Sequence, residues 1–361
     1  MNRRHFLKHA GVGLLALPMN NAFGIMNNTF TLSPTVPLGL DAHSLRGARW
    51  NPLQHIEYAG EKRLDSVLFN TIRSFPSLEE PYLREVKEAL AKHDLKIFFG
   101  IGSISKNAGA FRENFGTAEE QIGEGIRVAE FLGNNVITCR IGSMADRYTE
   151  GGIEAHMEEI IRVMRNMRGQ LLDAGIKLAV ENHNDLRTDE LITIIDETGT
   201  DICGAMLDPG NGVWQMENPM QQLEEIGPKV LCTSVRDYKV WASEEGATFQ
   251  WMALGKGMMD FEGYTRNMAA LCPGVPLHIE TISNEHRPIP FLTEAFWEGY
   301  KNLKAKDLLP FMLMLREGRP GELIEPPPGM DAREFQVQFQ FEEFDSSVAY
   351  LRENYNVGLK R

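Results

Sequence analysis

The chain has no surplus of positive charge, no cysteine pair at metal or redox spacing, no apolar run of membrane-spanning length and no glycine fingerprint for a dinucleotide. Each absence removes a class of function. With 37 Lys and Arg against 50 Asp and Glu, the net charge is −13. Binding to a phosphate backbone needs a basic face, and adhesion to anionic lipid needs a basic patch, so neither is expected. The four cysteines, Cys139, Cys203, Cys232 and Cys272, form no CxxC pair, and three of them lie inside apolar runs. They read as buried thiols rather than a disulfide framework. The apolar stretch from Ala10 to Met19 is too short to cross a bilayer. No GxGxxG follows the first apolar run, and Gly255-Lys256-Gly257 lacks the spacing of a phosphate-binding loop. Internal repeats and low-complexity tracts are also missing.

What is present begins with Arg3-Arg4-His5-Phe6-Leu7-Lys8 ahead of that weak apolar stretch. This resembles a twin-arginine export signal, which places residues 1–30 outside the fold and the mature protein in the periplasm or otherwise exported. From Pro37 onward, eight short β-rich runs alternate with amphipathic segments. The runs are 37–43, 66–73, 95–102, 136–142, 176–183, 202–208, 230–237 and 275–282. The intervening helical segments include 79–93, 117–132, 153–174 and 188–198. Eight strand–helix units in succession imply right-handed crossovers and a parallel sheet closing into a (β/α)8 TIM barrel over 31–305, with an open doubly wound sheet as runner-up. Residues 306–361 read as an irregular C-terminal extension that ends in a helix over 341–355. The extension is entered through an excursion over 301–330 rich in proline.

Catalytic groups of such a barrel sit where strands end and loops begin. Run five ends in Glu181-Asn182-His183, run six in Asp208-Pro209-Gly210-Asn211, run seven in Ser234-Val235-Arg236-Asp237, and run eight carries Glu280. A carboxylate inside an apolar strand is costly to bury unless it is paired or metal-bound, so three on neighbouring strands point to a divalent cation held by oxygen. His43 after run one, Arg140 near the end of run four and Gln250 in the long loop after run seven are candidate sugar-binding residues, as is Asn211. Arg46, Lys239, Trp241, Trp251, His286 and Arg287 are weaker candidates.

The ordered pair Glu-Asn-His and Asp-Pro-Gly-Asn, one unit apart and followed by the strand-seven motif and Glu280, resembles the sugar phosphate isomerase/epimerase superfamily of xylose isomerase-like barrels over about residues 37–300. The resemblance implies a metal held by Glu181, Asp208 and Glu280, with Ser234 at the position of the family's histidine. Three readings of that departure stand side by side. Three carboxylates plus water would favour Mg²⁺ or Mn²⁺, with Co²⁺ or Zn²⁺ also compatible. His183 or His278 could supply an imidazole. The site could instead have decayed to a carbohydrate-binding one. If active, the site implies proton transfer next to a carbonyl through a metal-stabilised enediolate. Glu181 and Glu280 would be the acid and base, Arg236 would offset the oxyanion, and His183 would bond a hydroxyl or shuttle a proton. The same abstraction followed by loss of a leaving group gives a lyase acting on oxidised glycosides. The expected partner is a small sugar or glycoside. Nucleic acid and stable membrane insertion are not expected, and an oligomer is compatible. The related abasic-DNA endonucleases need more histidines and a basic groove.

Overall fold

A computed structural model describes residues 35–360. The export-signal reading falls on residues 1–30 and lies outside the described residues. Eight parallel strands form the central sheet. They are β1 (Leu38–Asp41), β2 (Ser66–Phe69), β3 (Lys96–Ser103), β4 (Val136–Arg140), β5 (Lys177–Glu181), β6 (Cys203–Leu207), β7 (Val230–Thr233) and β10 (Leu277–Ile279), each inside its expected run except β3, which ends one residue beyond it. Neighbours pair in parallel in the order β10-β1-β2-β3-β4-β5-β6-β7. The last join is narrow. Just beyond β7, the Val235 amide donates to the His278 carbonyl at 2.7 Å, and the Glu280 amide donates to the Val235 carbonyl at 3.0 Å. These two bonds close the ring, so the barrel is a TIM barrel with a thin seam between β7 and β10.

Strand alternation sorts the side chains. Leu68, Phe98, Val136, Ala179, Met206 and Cys232 form a small apolar cluster inside the ring. His278 belongs to this inner layer: its ring meets Phe98 edge-on at 4.9 Å and bonds the Ser66 hydroxyl at 3.0 Å. Gly39 faces the same ring. A Cβ there would lie 2.3 Å from the His278 ring and 2.5 Å from the Ser66 hydroxyl, so only glycine fits. The outward faces of the strands pack against the helices in the main core. All four cysteines are free and buried, as their apolar settings predict.

Helix ends follow their cap residues. Thr117 accepts from the Glu120 amide, and Glu120 accepts in return from the Thr117 amide, starting the helix Ala118–Leu132. The segment expected as one long helix over 153–174 is two, Gly152–Asn166 and Arg168–Ala174, broken at Met167. The amide of Met167 reaches both the Val163 and Met164 carbonyls, which tightens the turn and redirects the chain.

Two further departures concern the C-terminal half. The stretch after β7, read as a loop, is a hairpin of β8 (Asp237–Ser243) and β9 (Gly246–Met252), to which β11 (Arg287–Ile289) adds an antiparallel strand. The excursion over 301–330 contains a helix, Ala305–Glu317, with Pro310 inside it. Its Phe311 and Leu315 pack with Val240, Phe249 and Phe291 in a second core under the hairpin. The final helix, Ala332–Tyr355, lies across the barrel's first turn, where Gln340 accepts from the Gly47 amide. Among the described residues no helix is long and apolar enough to cross a membrane.

Candidate active site

The C-terminal strand ends surround a cavity of about 830 Å³. That volume suits a small ligand. Glu181, His183, Arg140, His43, Arg236 and Glu280 all line it. Asp208, Ser234 and Asn211 sit just beneath and are buried.

Each motif residue has a structural duty. Asn182 ties β5 to β6: its amide donates to the Asp208 carbonyl at 2.8 Å, and its oxygen accepts from the Asp208 amide at 2.7 Å. Asp208 caps the short helix Pro209–Trp214 through the Asn211 amide at 3.0 Å. His183 donates from Nδ1 to the Gly142 carbonyl at 2.7 Å, which leaves Nε2 as an acceptor. Burial and the nearby Arg140 push its pKa down to about 3, so it is neutral at ordinary pH. Asp237 accepts four backbone amides, from Tyr238, Gly255, Gly257 and Met259. That is a loop-shaping role, and it accounts for the Gly-Lys-Gly turn.

The centre is ionic. One nitrogen of Arg236, Nη2, donates to Asp208 Oδ2 at 2.7 Å and also to Glu280 Oε2. The guanidinium lies 4.1 Å from the centroid of the Trp251 ring. Gly210 makes room for it, because a Cβ there would come within 2.5 Å of Arg236 Cγ and 3.0 Å of the Trp251 ring. Arg236 Nε and Nη1 are buried with no partner. Ser234 Oγ lies 2.7 Å from Glu280 Oε2 and 2.9 Å from Asp41 Oδ2. A hydroxyl has one hydrogen to donate, so one of these contacts needs a proton on the carboxyl side. Burial and the charge of Glu280 raise Asp41 well above the usual carboxylate range. Asp41 therefore carries the proton and donates to Ser234, which donates to Glu280. Burial also favours the neutral form of Glu280, but Arg236, His43 and Ser234 outweigh it and hold Glu280 ionised. Glu181 is different. Burial lifts it to about 7 against the pull of Arg140, and among the described residues its one side-chain hydrogen bond is from the Asn211 amide at 3.5 Å.

This arrangement tests the expected metal site. As placed, the donors do not fit a divalent ion. The two carboxylates that would share it share a guanidinium instead, and a hydroxyl occupies the histidine position. Among the described residues no three His, Cys, Asp or Glu side chains converge as ligands. Neither spare imidazole completes the set: His278 is sealed in the layer below, and His183, whose Nε2 is free, belongs to no group of three ligand side chains among the described residues. Gln250, expected to bind substrate, does not line the cavity. It is buried beneath the C-terminal segment and donates to the Glu322 carbonyl at 3.4 Å. Trp241 likewise lies outside, against His286.

Several residues of the site, lining or just beneath it, escaped the sequence. Asp41 ends β1 in the same way that Glu181 ends β5, and that pattern was legible. Arg73 and Arg112, in the segments after β2 and β3, and Trp214, at the end of the helix Pro209–Trp214, have no motif to mark them.

Comparisons with known proteins agree with the architecture. Residues 57–298 match the family described as xylose isomerase-like TIM barrel. D-psicose 3-epimerase solved with D-fructose has a similar structure, at a TM-score of 0.56 and 12% identity over 88% of this chain and 98% of that one. An IOLI protein solved with a zinc atom gives a TM-score of 0.53 and 14% identity over 87% and 98%. These likenesses show the fold alone. In sequence, 108 residues are 25% identical to 3-oxo-isoapionate decarboxylase of Pectobacterium atrosepticum. They cover 29% of this chain and 39% of the relative, so the match spans about two-fifths of that protein.

Proposed function

The chain belongs to the xylose isomerase-like TIM-barrel family, and from that premise we propose that it is an enzyme moving a proton next to the carbonyl of a sugar-like substrate. The observation that carries this reading is the contrast between two glutamates in one cavity. Glu181 is poised near pH 7, while Glu280 is held ionised as the counter-ion of Arg236. Environments that push two carboxyls apart assign them different roles. Glu181 is the general base. It takes the proton from the carbon beside the carbonyl, and the electron pair moves onto the carbonyl oxygen. The unpartnered N–H groups of Arg236 are the donors that meet the resulting oxyanion. Protonated Glu181 then returns the proton to the former carbonyl carbon while the proton of the adjacent hydroxyl passes to the oxyanion, which moves the carbonyl by one carbon and completes an isomerisation. His183, neutral with a free acceptor nitrogen, receives a substrate hydroxyl and does not donate the proton.

Two alternatives have specific support. The decarboxylase relative favours a lyase, in which the same oxyanion forms by loss of a group rather than a proton. The zinc-bearing IOLI protein favours a divalent metal, which in this chain would have to displace Arg236 from Asp208 and Glu280. The decisive experiment is turnover of ketoses and keto-sugars with and without a chelator, beside Glu181→Gln. We expect activity that survives chelation, falls roughly 10²- to 10⁴-fold in Glu181→Gln, and declines below about pH 7 as Glu181 is protonated. Loss on chelation, restored by Mn²⁺ or Zn²⁺, would return the site to the metal reading. Residues 3–8 support export as the site of action. Retention of an Arg3→Lys/Arg4→Lys variant inside cells that export the native chain is the expected check.

A further inference from the structure

The charge of the cavity runs against that of the molecule. In a chain of net charge −13, six arginines and only two carboxylates line the mouth of the barrel. Arg236 is taken up by Asp208 and Glu280, Arg73 by Glu124, and Arg287 by Glu285. Among the described residues Arg46, Arg112 and Arg140 pair with no carboxylate. Several guanidinium nitrogens are buried without any partner: Arg140 Nε, Arg73 Nε and Nη2, Arg287 Nε, and Nε and Nη1 of Arg236. Arg236 is itself only 3% exposed. Buried donors left unpaired cost free energy, and guanidinium groups are matched by planar or tetrahedral oxyanions through paired N–H bonds. Opposite them, Arg287 lies over the Trp214 and Trp251 rings at 4.9 and 4.4 Å, giving an aromatic wall for a carbon skeleton.

We propose that the substrate is an anionic sugar, whose oxyanion is clamped by Arg140 with Arg73 and Arg112 while its carbonyl end faces Glu181 and Arg236. This rests on the proposed reaction at that end, but the anion clamp is separable from it. A neutral ketose brings hydroxyl acceptors but no charge to offset Arg46, Arg112 and Arg140, which line the cavity with no carboxylate partner among the described residues. A carboxylate or a phosphate ester supplies that charge, and the experiment tells these apart.

The test is binding by calorimetry to matched sets of four- to six-carbon ligands: each aldonate, its neutral alditol and its phosphate ester. At least one anion should bind its wild-type site roughly 10- to 100-fold tighter than its neutral partner. Arg140→Met should lose most of that difference, and Arg140→Lys should recover part of it. Arg112 is exposed, so Arg112→Ala folds and gives an independent reading of the same loss. Aldonates ahead of phosphates assign a sugar acid; the reverse assigns a phosphorylated sugar. Glu181→Gln should keep the binding while losing turnover, so a failed reaction hypothesis leaves this result standing. If no anion binds tighter than its neutral partner, or if both Arg140→Met and Arg112→Ala leave the preference intact, the proposal is wrong.

Discussion

Ser234 has one hydroxyl hydrogen and two carboxyl neighbours, and that mismatch fixes the protonation of the centre. The carboxyl of Asp41 accepts from the His43 amide through Oδ1 and faces Ser234 through Oδ2. An asparagine reproduces this arrangement, with an oxygen toward His43 and an NH₂ donating to Ser234. Asp41→Asn should therefore keep its melting temperature and stay within about threefold of native activity, whereas Asp41→Ala should lose both. Gly210 is the counterpart on the other side of Arg236. A methyl group there pushes the guanidinium off Trp251 and its carboxylates, and Gly210→Ala should cost roughly a hundredfold in kcat while the fold persists. The carboxylates themselves were legible in the sequence, because Glu181, Asp208 and Glu280 end apolar runs where an unpaired charge is intolerable. What they hold was not legible. Spacing places Arg236 near them, but only its side-chain path over Trp251, made possible by Gly210, shows the guanidinium between Asp208 and Glu280.

At the scale of elements, the eight strands and most helices follow from alternation and periodicity. The hairpin β8–β9 does not stand out in the same way. Its residues alternate as a strand should, yet they follow β7 directly, where a barrel expects a loop and a helix. Gln250 was misplaced for this reason, since a hairpin residue that faces the C-terminal segment reads in a loop as facing the ligand. The docking of the final helix carries a prediction of its own. Glu343 accepts from Ser283 through Oε1, while Oε2 is buried with no partner. Burial raises its pKa to about 7, against the pull of Ser283 and Arg46. The folded state thus holds this proton more tightly than the unfolded chain, whose glutamate titrates near 4.3. The contribution to stability is complete below about pH 4 and is lost as pH rises through 7, on the order of 3 kcal/mol in all. Glu343→Gln should remove this decline, seen as a flatter melting temperature between pH 5 and 7.5.

At the scale of the whole molecule, composition and cavity have opposite signs. A net acidic chain argues against nucleic acid as a partner, but it conceals an arginine-rich mouth because net charge averages over the surface. The barrel's closure has a similar local character. Two backbone bonds at Val235 close the ring, and Val235 stands between Ser234 and Arg236, whose side chains both reach across to Glu280 on the opposite bank. The seam is thus latched by the same groups that the proposed reaction uses. A ligand bound to Arg236 reinforces that latch, so the amides of Val235 and Glu280 should exchange hydrogen slowly when the site is filled and faster in Arg236→Met, ahead of the other barrel strands. Turnover would then be accompanied by a periodic loosening and tightening of the wall of the barrel itself, with the substrate acting as its clasp.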